Sequence, residues 1–125
     1  MANYQRIHIK DVKPTEFLIP ADSLEQIAEY YDGNSESILA PMGYLDEQGK
    51  FMPEKGNKRI TFLHLQGHDY FTGLVQDHDK EDFDACMQLV ERAQGFGVSS
   101  IDNLSKKVVP RDEYDSLMSV FDKNR

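Results

Sequence analysis

Four histidines are the residues best suited to chemistry, and three of them lie near carboxylates: His64, His68 with Asp69, and His78 between Asp77 and Asp79. Imidazole nitrogen and carboxylate oxygen together suit a divalent metal, so His64, His68 and Asp69 form a candidate site for a small metal-dependent hydrolase. A spacing of four puts His64 and His68 on one face only in a helix, and the residues around them read as a strand and a turn, across which they need not converge. His78 would sit at the far end of the next strand, roughly 20 Å from the turn at ~3.3 Å per residue. The preferred expectation is ordinary polar histidines, with no resident metal and no cofactor; the hydrolase stands as the alternative.

Other catalytic patterns fail on residue type. Asp77, Asp79 and Glu81 alternate as in a calcium-binding loop, but the sixth position is Asp82 where glycine is needed and the twelfth is Gln88 where a bidentate glutamate is needed. Cys86 falls on the apolar stripe of a helix with Phe83 and Val90, where a thiol is inert. No nucleophile elbow or P-loop is present, and Gly95-Phe96-Gly97 lacks the downstream glycine of a dinucleotide loop. The expectation is a protein that is not an enzyme.

Charge is distributed unevenly. Between Lys13 and Lys50 lie eight acids (Glu16, Asp22, Glu25, Glu29, Asp32, Glu36, Asp46 and Glu47) and no lysine or arginine, whereas acids and bases balance in the rest of the chain. Asp22, Glu25, Glu29 and Asp32 recur at spacings of three and four, which places them on the solvent side of a helix whose inward set is Leu24, Ile27, Ala28 and Tyr31. With no lysine in the helix to pair with them, they repel one another by a few tenths of a kcal/mol, about 0.2–0.5 per pair. Tyr30 lies beside them as an aromatic anchor. Asp22, Glu25, Glu29, Tyr30, Asp32 and Glu36 are therefore the candidate partner-binding residues, facing a basic surface of another protein. The bases Lys50, Lys55, Lys58 and Arg59, and Lys106, Lys107 and Arg111, are expected to pair locally with acids.

The elements that must carry these residues follow from periodicity. Tyr4 to Val12 alternates Ile7 and Ile9 against Arg6, His8 and Lys10, a half-buried strand. Ser23 and Gln26 compose a capping box for the acidic helix, and Gly33 closes it. Ile38 to Leu45, Lys50 to Met52, Lys58 to Gln66 and Tyr70 to Gln76 read as strands joined by turns, an antiparallel meander. Asp79 caps a helix carrying Phe83, Cys86, Met87, Val90 and Ala93 and stopped at Gly95. A loop leads to Pro110, which opens a last helix with Tyr114, Leu117, Met118 and Phe121 inward. The expected fold is α+β, an antiparallel four- to five-stranded meander sheet with about three helices packed against it.

Size and composition bound the rest. The 125 residues suit one compact domain, 1–125; 22 acids against 14 bases give a net charge of −8, which argues against direct nucleic-acid binding. One cysteine excludes an internal disulfide, and no apolar run is long enough for a membrane span or a signal sequence, so a cytoplasmic location is expected. A small acidic α+β domain without catalytic machinery is similar in profile to immunity proteins, small phage-encoded inhibitors of host defence and secretion chaperones, a resemblance of class and not of residues. The expectation is a non-catalytic binder or inhibitor that occludes a basic partner surface. A homo-oligomeric subunit, joined through a sheet face bearing Tyr44, Phe51, Phe62 and Phe71, is a further possibility.

Overall fold

The computed structural model describes residues 2–123. In chain order the elements are β1 (Asn3–His8), β2 (Ile19–Pro20), α1 (Ala21–Ala28), β3 (Met42–Leu45), β4 (Phe51–Lys55), α2 (Asn57–Leu65), β5 (Tyr70–Val75), α3 (Lys80–Gly95), α4 (Ile101–Ser105), β6 (Val108–Val109) and α5 (Arg111–Lys123). Short 3-10 turns occupy Ile9–Asp11 and Ser35–Ser37. The fold is α+β, as expected, but its sheet is mixed. Its strand order is β1-β5-β3-β4, with β1 antiparallel to β5, β5 parallel to β3, and β3 antiparallel to β4. A second, two-stranded parallel sheet joins β2 to β6. No described helix is long and apolar enough to cross a membrane.

The largest correction is α2. Residues 58–66, expected as a strand, lie in or just beyond a nine-residue helix, and five helices among those described replace the three expected. Ile60, Thr61, Phe62 and Leu63 are all buried, so the helix is apolar around most of its circumference and shows no clean helical stripe. A short buried helix and a buried strand have the same apolar run, and tertiary packing decides between them. Because this helix crosses over between β4 and β5, β5 returns parallel to β3 and a meander is impossible.

The other elements follow their local signals in part: the strand expected over residues 4–12 stops at His8, the one expected over residues 38–45 begins at Met42, and Leu117 of α5, expected inward, is exposed. Asp79 caps α3 by accepting the Asp82 amide proton at 3.1 Å, and Glu81 and Asp82 occupy its first turn. The acidic helix α1 starts two residues earlier than its expected capping residue: its N-cap is Pro20, with no side-chain cap, and Ser23 is buried inside it. It also ends at Ala28, before Gly33, and Ala28 is exposed where an inward position was expected.

The main core joins Ile7, Ile19, Phe51, Ile60, Leu63, Phe71, Ile101 and Leu104, and a smaller cluster of Tyr44, Met52, Cys86 and Val90 lies where α3 packs on the sheet. Tyr44, Phe51, Phe62 and Phe71, expected on a face that could meet a second copy, are instead buried within the chain. Phe17 stacks on Phe96 with centroids 4.4 Å apart and also meets Phe121, tying the amino-terminal third to α5.

A buried polar junction fixes the start of α2. The Asn57 side-chain oxygen accepts the Thr15 amide proton at 2.9 Å and the Glu16 amide proton at 3.3 Å, while its nitrogen donates to Thr15 Oγ1 at 2.8 Å. Thr15 Oγ1 in turn donates to the Pro53 carbonyl at 2.6 Å, and Thr61 Oγ1 donates to the Asn57 carbonyl at 2.8 Å. Gly56 precedes this junction with φ 110°, and a Cβ there would lie 2.6 Å from Pro41 Cβ, so only glycine fits. Asn57→Ala leaves buried backbone donors unpaired and is expected to destabilise the fold by about 2–4 kcal/mol in urea unfolding. Gly43 lies where β3 and β4 come closest, and its Cβ would meet the Met52 carbonyl oxygen at 2.1 Å. Gly43→Ala is therefore expected to lower the melting temperature far more than Gly49→Ala, whose added Cβ meets nothing within 4 Å although φ is 78° there, as differential scanning calorimetry would show.

Candidate docking face and histidine cleft

The acidic segment does not form one helical face. Glu25 lies on α1, Glu29 caps its carboxyl end, and Tyr30, Asp32 and Glu36 follow in the loop toward β3. Asp22 departs from the expectation that these acids lack cationic neighbours. Arg111 Nη2 stands 2.9 Å from Asp22 Oδ1 and Arg111 Nε donates to Asp22 Oδ2 at 3.0 Å, a two-point pairing across 89 positions of sequence. The hydrogen bond from Arg111 holds the Asp22 carboxyl below its usual range. Among the described residues no cation lies within ion-pair distance of Glu25, Glu29 or Glu36, and Asp32 Oδ1 accepts only the Asn34 amide proton, at 2.9 Å. The expected local pairing of bases holds for Lys106 with Asp102 (3.2 Å) and Arg111 with Asp115 (3.8 Å); Lys50 reaches the more distant Asp11 (2.8 Å), and among the described residues Lys55, Lys58, Arg59 and Lys107 form no ion pair.

Tyr30 is 71% exposed and Leu39 78%, the two most exposed large hydrophobic side chains described. They border an apolar depression of about 420 Å³ lined also by Ile27, Ile38 and Arg59. The Arg59 guanidinium donates to the carbonyls of Leu39, at 2.9 Å, and Ala40, at 3.4 Å, which holds the loop carrying Leu39 against α2. A second depression of about 470 Å³ continues between α1 and α2 and shares Ile27, Tyr30 and Arg59 with the first. Sequence reasoning found Tyr30 but missed Leu39 and Arg59, because Leu39 falls in an apolar run that reads as a buried strand. No local signal marks it as exposed.

At the floor of the second depression Glu16 carries a buried Oε2 with no hydrogen bond. Burial pushes its carboxyl above the usual range, against the opposing pull of Lys58 and Arg92.

The histidines meet at the other end of α2. His8, His64 and His68 line one cleft of about 330 Å³ with Lys10, Asp69 and Asp102, over an apolar floor of Ile9 and Ile101. His64 Nε2 is 3.3 Å from Asp102 Oδ1, and His68 Nε2 makes a short hydrogen bond with the Tyr31 hydroxyl. Hydrogen bonds from Lys106 and His64 lower the Asp102 carboxyl. The structure thus brings His64, His68 and Asp69 to one cleft, although the spacing did not require it, and adds His8, which sequence reasoning left out. His78 lies elsewhere, packed on Phe83 with centroids 4.8 Å apart. Among the described residues no three histidine, cysteine or carboxylate side chains are grouped as metal ligands. Cys86 is buried, its thiol pushed up to about 11 chiefly by desolvation.

Compared with protein-family models, curated proteins and solved structures, the chain matches none.

The raised Glu16 carboxyl sets a pH dependence. A folded value above the ordinary 4.5 means that stability is fullest below that value and is lost as pH climbs through the folded value. Glu16→Gln removes the buried charge, so its melting temperature is expected to exceed that of the parent at pH 7, with the gain vanishing below about pH 4. Thermal melts across that range check it; an equal gain at both ends would assign the effect to packing.

Proposed function

We propose that this chain is a non-catalytic binding protein whose face around Tyr30 and Leu39 covers a basic surface of another protein. One observation carries the reading: the two most exposed large apolar side chains flank one depression, and Glu25, Glu29, Asp32 and Glu36 belong to the same stretch of chain without cations to pair with. Protein interfaces combine this kind of apolar, aromatic centre with a polar rim. The unpaired acids supply a field that speeds the approach of a cationic surface, and the Tyr30 ring and Leu39 side chain supply contact area that slows its departure. Asp22 is left out of the face because Arg111 already neutralises it.

The action on the partner would be occlusion, as an inhibitor or a chaperone achieves it, with no bond made or broken. Five groups, Glu25, Glu29, Tyr30, Asp32 and Glu36, with Leu39 added by the structure, compose the interface. Arg59 positions the loop and contributes a cation at its border, with Lys55 and Lys58 lining the adjoining depression.

The test starts from a partner isolated by crosslinking in the native host and then purified. Association measured by stopped flow at several salt concentrations is expected to slow about tenfold or more for the Glu25→Lys and Glu29→Lys double variant at low salt, with a flatter salt dependence. Tyr30→Ala is expected to act on dissociation, and Asp22→Asn to leave both rates nearly unchanged. Equal association rates for parent and double variant would remove the electrostatic docking face. Sedimentation showing that the same face joins two copies of the chain would replace the basic partner with self-association.

A further inference from the structure

The histidine cleft shares no lining residue with the depressions around Tyr30 and Leu39, although His68 and Asp69 border another depression with Glu36, and its polar groups form a pattern that selects a ligand. We propose that it binds a free α-amino acid with an apolar side chain, its carboxylate toward His8 and Lys10 and its ammonium toward His64, His68 and Asp69.

Hydrogen-bond partners decide which ring nitrogens remain for a ligand. His8 Nδ1 accepts the Lys10 amide proton at 3.1 Å, so the neutral ring carries its proton on Nε2 and offers a donor. His64 Nε2 faces the Asp102 carboxylate, which only accepts, so that nitrogen donates, and in the neutral ring Nδ1 is the acceptor. The Tyr31 hydroxyl lies within reach of both the Gly33 carbonyl, at 3.2 Å, and His68 Nε2; when its proton goes to Gly33 it accepts from His68 Nε2, and His68 Nδ1 is then an acceptor. In that arrangement the neutral rings offer one donor and two acceptors.

These groups are segregated by chain segment. Donors, His8 Nε2 and the Lys10 ammonium, come from the end of β1 and the turn that follows; acceptors, His64 Nδ1, His68 Nδ1 and the Asp69 carboxylate, come from the end of α2 and the turn into β5. Neither Lys10 nor Asp69 has an ion-pair partner among the described residues. The two segments are neighbours, the Ile9 amide donating to the Asp69 carbonyl at 2.8 Å; Ile9 and Ile101, both buried, also line the cleft, whose 330 Å³ is at the small end of ligand sites. A ligand that satisfies this set carries a negative group, a positive group that donates hydrogen bonds, and a small apolar body. A free apolar amino acid has all three, whereas a simple carboxylate leaves the acceptors unpaired and a simple amine leaves the donors unpaired.

The test is an amide NMR titration of the full chain with L-leucine, isocaproate (the same skeleton without the amine) and isoamylamine (without the carboxylate). Leucine is expected to shift the amides of residues 8–10, 64–69 and 100–102 saturably, at a Kd of about 1 mM, and each analogue to bind about tenfold more weakly or worse. Lys10→Met is expected to reduce leucine to the affinity of isoamylamine, and Asp69→Asn to reduce it to that of isocaproate. The proposal is overturned if leucine gives no saturable shift, if either analogue binds as tightly as leucine, or if both variants keep the parent affinity. A saturable response to zinc ions without one to leucine would overturn it in favour of the metal-binding alternative.

Discussion

The Asn57 side chain is the constraint on which the rest of the molecule hangs. Its oxygen takes two backbone protons from the segment after β1, its nitrogen reaches Thr15, and Thr15 reaches the end of β4, so one buried amide ties three stretches of chain at the point where α2 begins. Every polar group in this knot finds a partner, which is the condition for burying it at all. From there α2 runs through the main core and serves a different surface at each end. Near its start Arg59 anchors the loop bearing Leu39; in its last turn His64 meets Asp102 on α4. Docking face and cleft are therefore positioned by one helix, whose direction is set where it enters the core.

The charge pattern has a geometric cause as well as a compositional one. Lys55 and Lys58 line the depression beside Tyr30 with no ion-pair partner among the described residues, while Lys13 pairs with Asp46 at 2.6 Å, Lys50 with Asp11, and Arg111 with Asp22 at the outset of α1. The last of these covers the start of the helix and leaves its far end and the following loop uncompensated. Exposed pairs of this kind contribute little to stability, about 0–1 kcal/mol each, so their main effect is on where the surface field lies.

Much of the fold was legible where local signals agree. In α3 the cap at Asp79, the acids of the first turn and the apolar spacing from Phe83 to Ala93 all point to one helix, and the structure has it. The edge strand β1 is present with Ile7 buried and Arg6 exposed, though it stops at His8 where the alternation runs on to Val12, and the turn at residues 46–49 is where its residues placed it. What was not legible depends on distant contacts. The residues of α2 include β-branched and aromatic side chains on every side, and only burial between other elements makes a helix of them. The five-residue α4 has a cap at Ser100, whose Oγ accepts the Asn103 amide proton, but is too short to show a period. In the candidate face the acids and Tyr30 could be named from spacing, whereas the pairing of Asp22 joins residues 89 positions apart, and the exposure of Leu39 is a property of the folded surface alone.

The two-residue pairing of β2 with β6 has a consequence for how the chain must be made. Ile19, fully buried, pairs with Val108 and donates its amide proton to the Lys107 carbonyl, while Phe17 rests on Phe96 and Phe121. Synthesis delivers Phe17 and Ile19 well before Phe96, Val108 and Phe121, so these early apolar side chains wait in water for partners that come much later in the chain. Closing this seam brings together segments far apart in the sequence: a chain cut short before α5 lacks Phe121, which packs on Phe17.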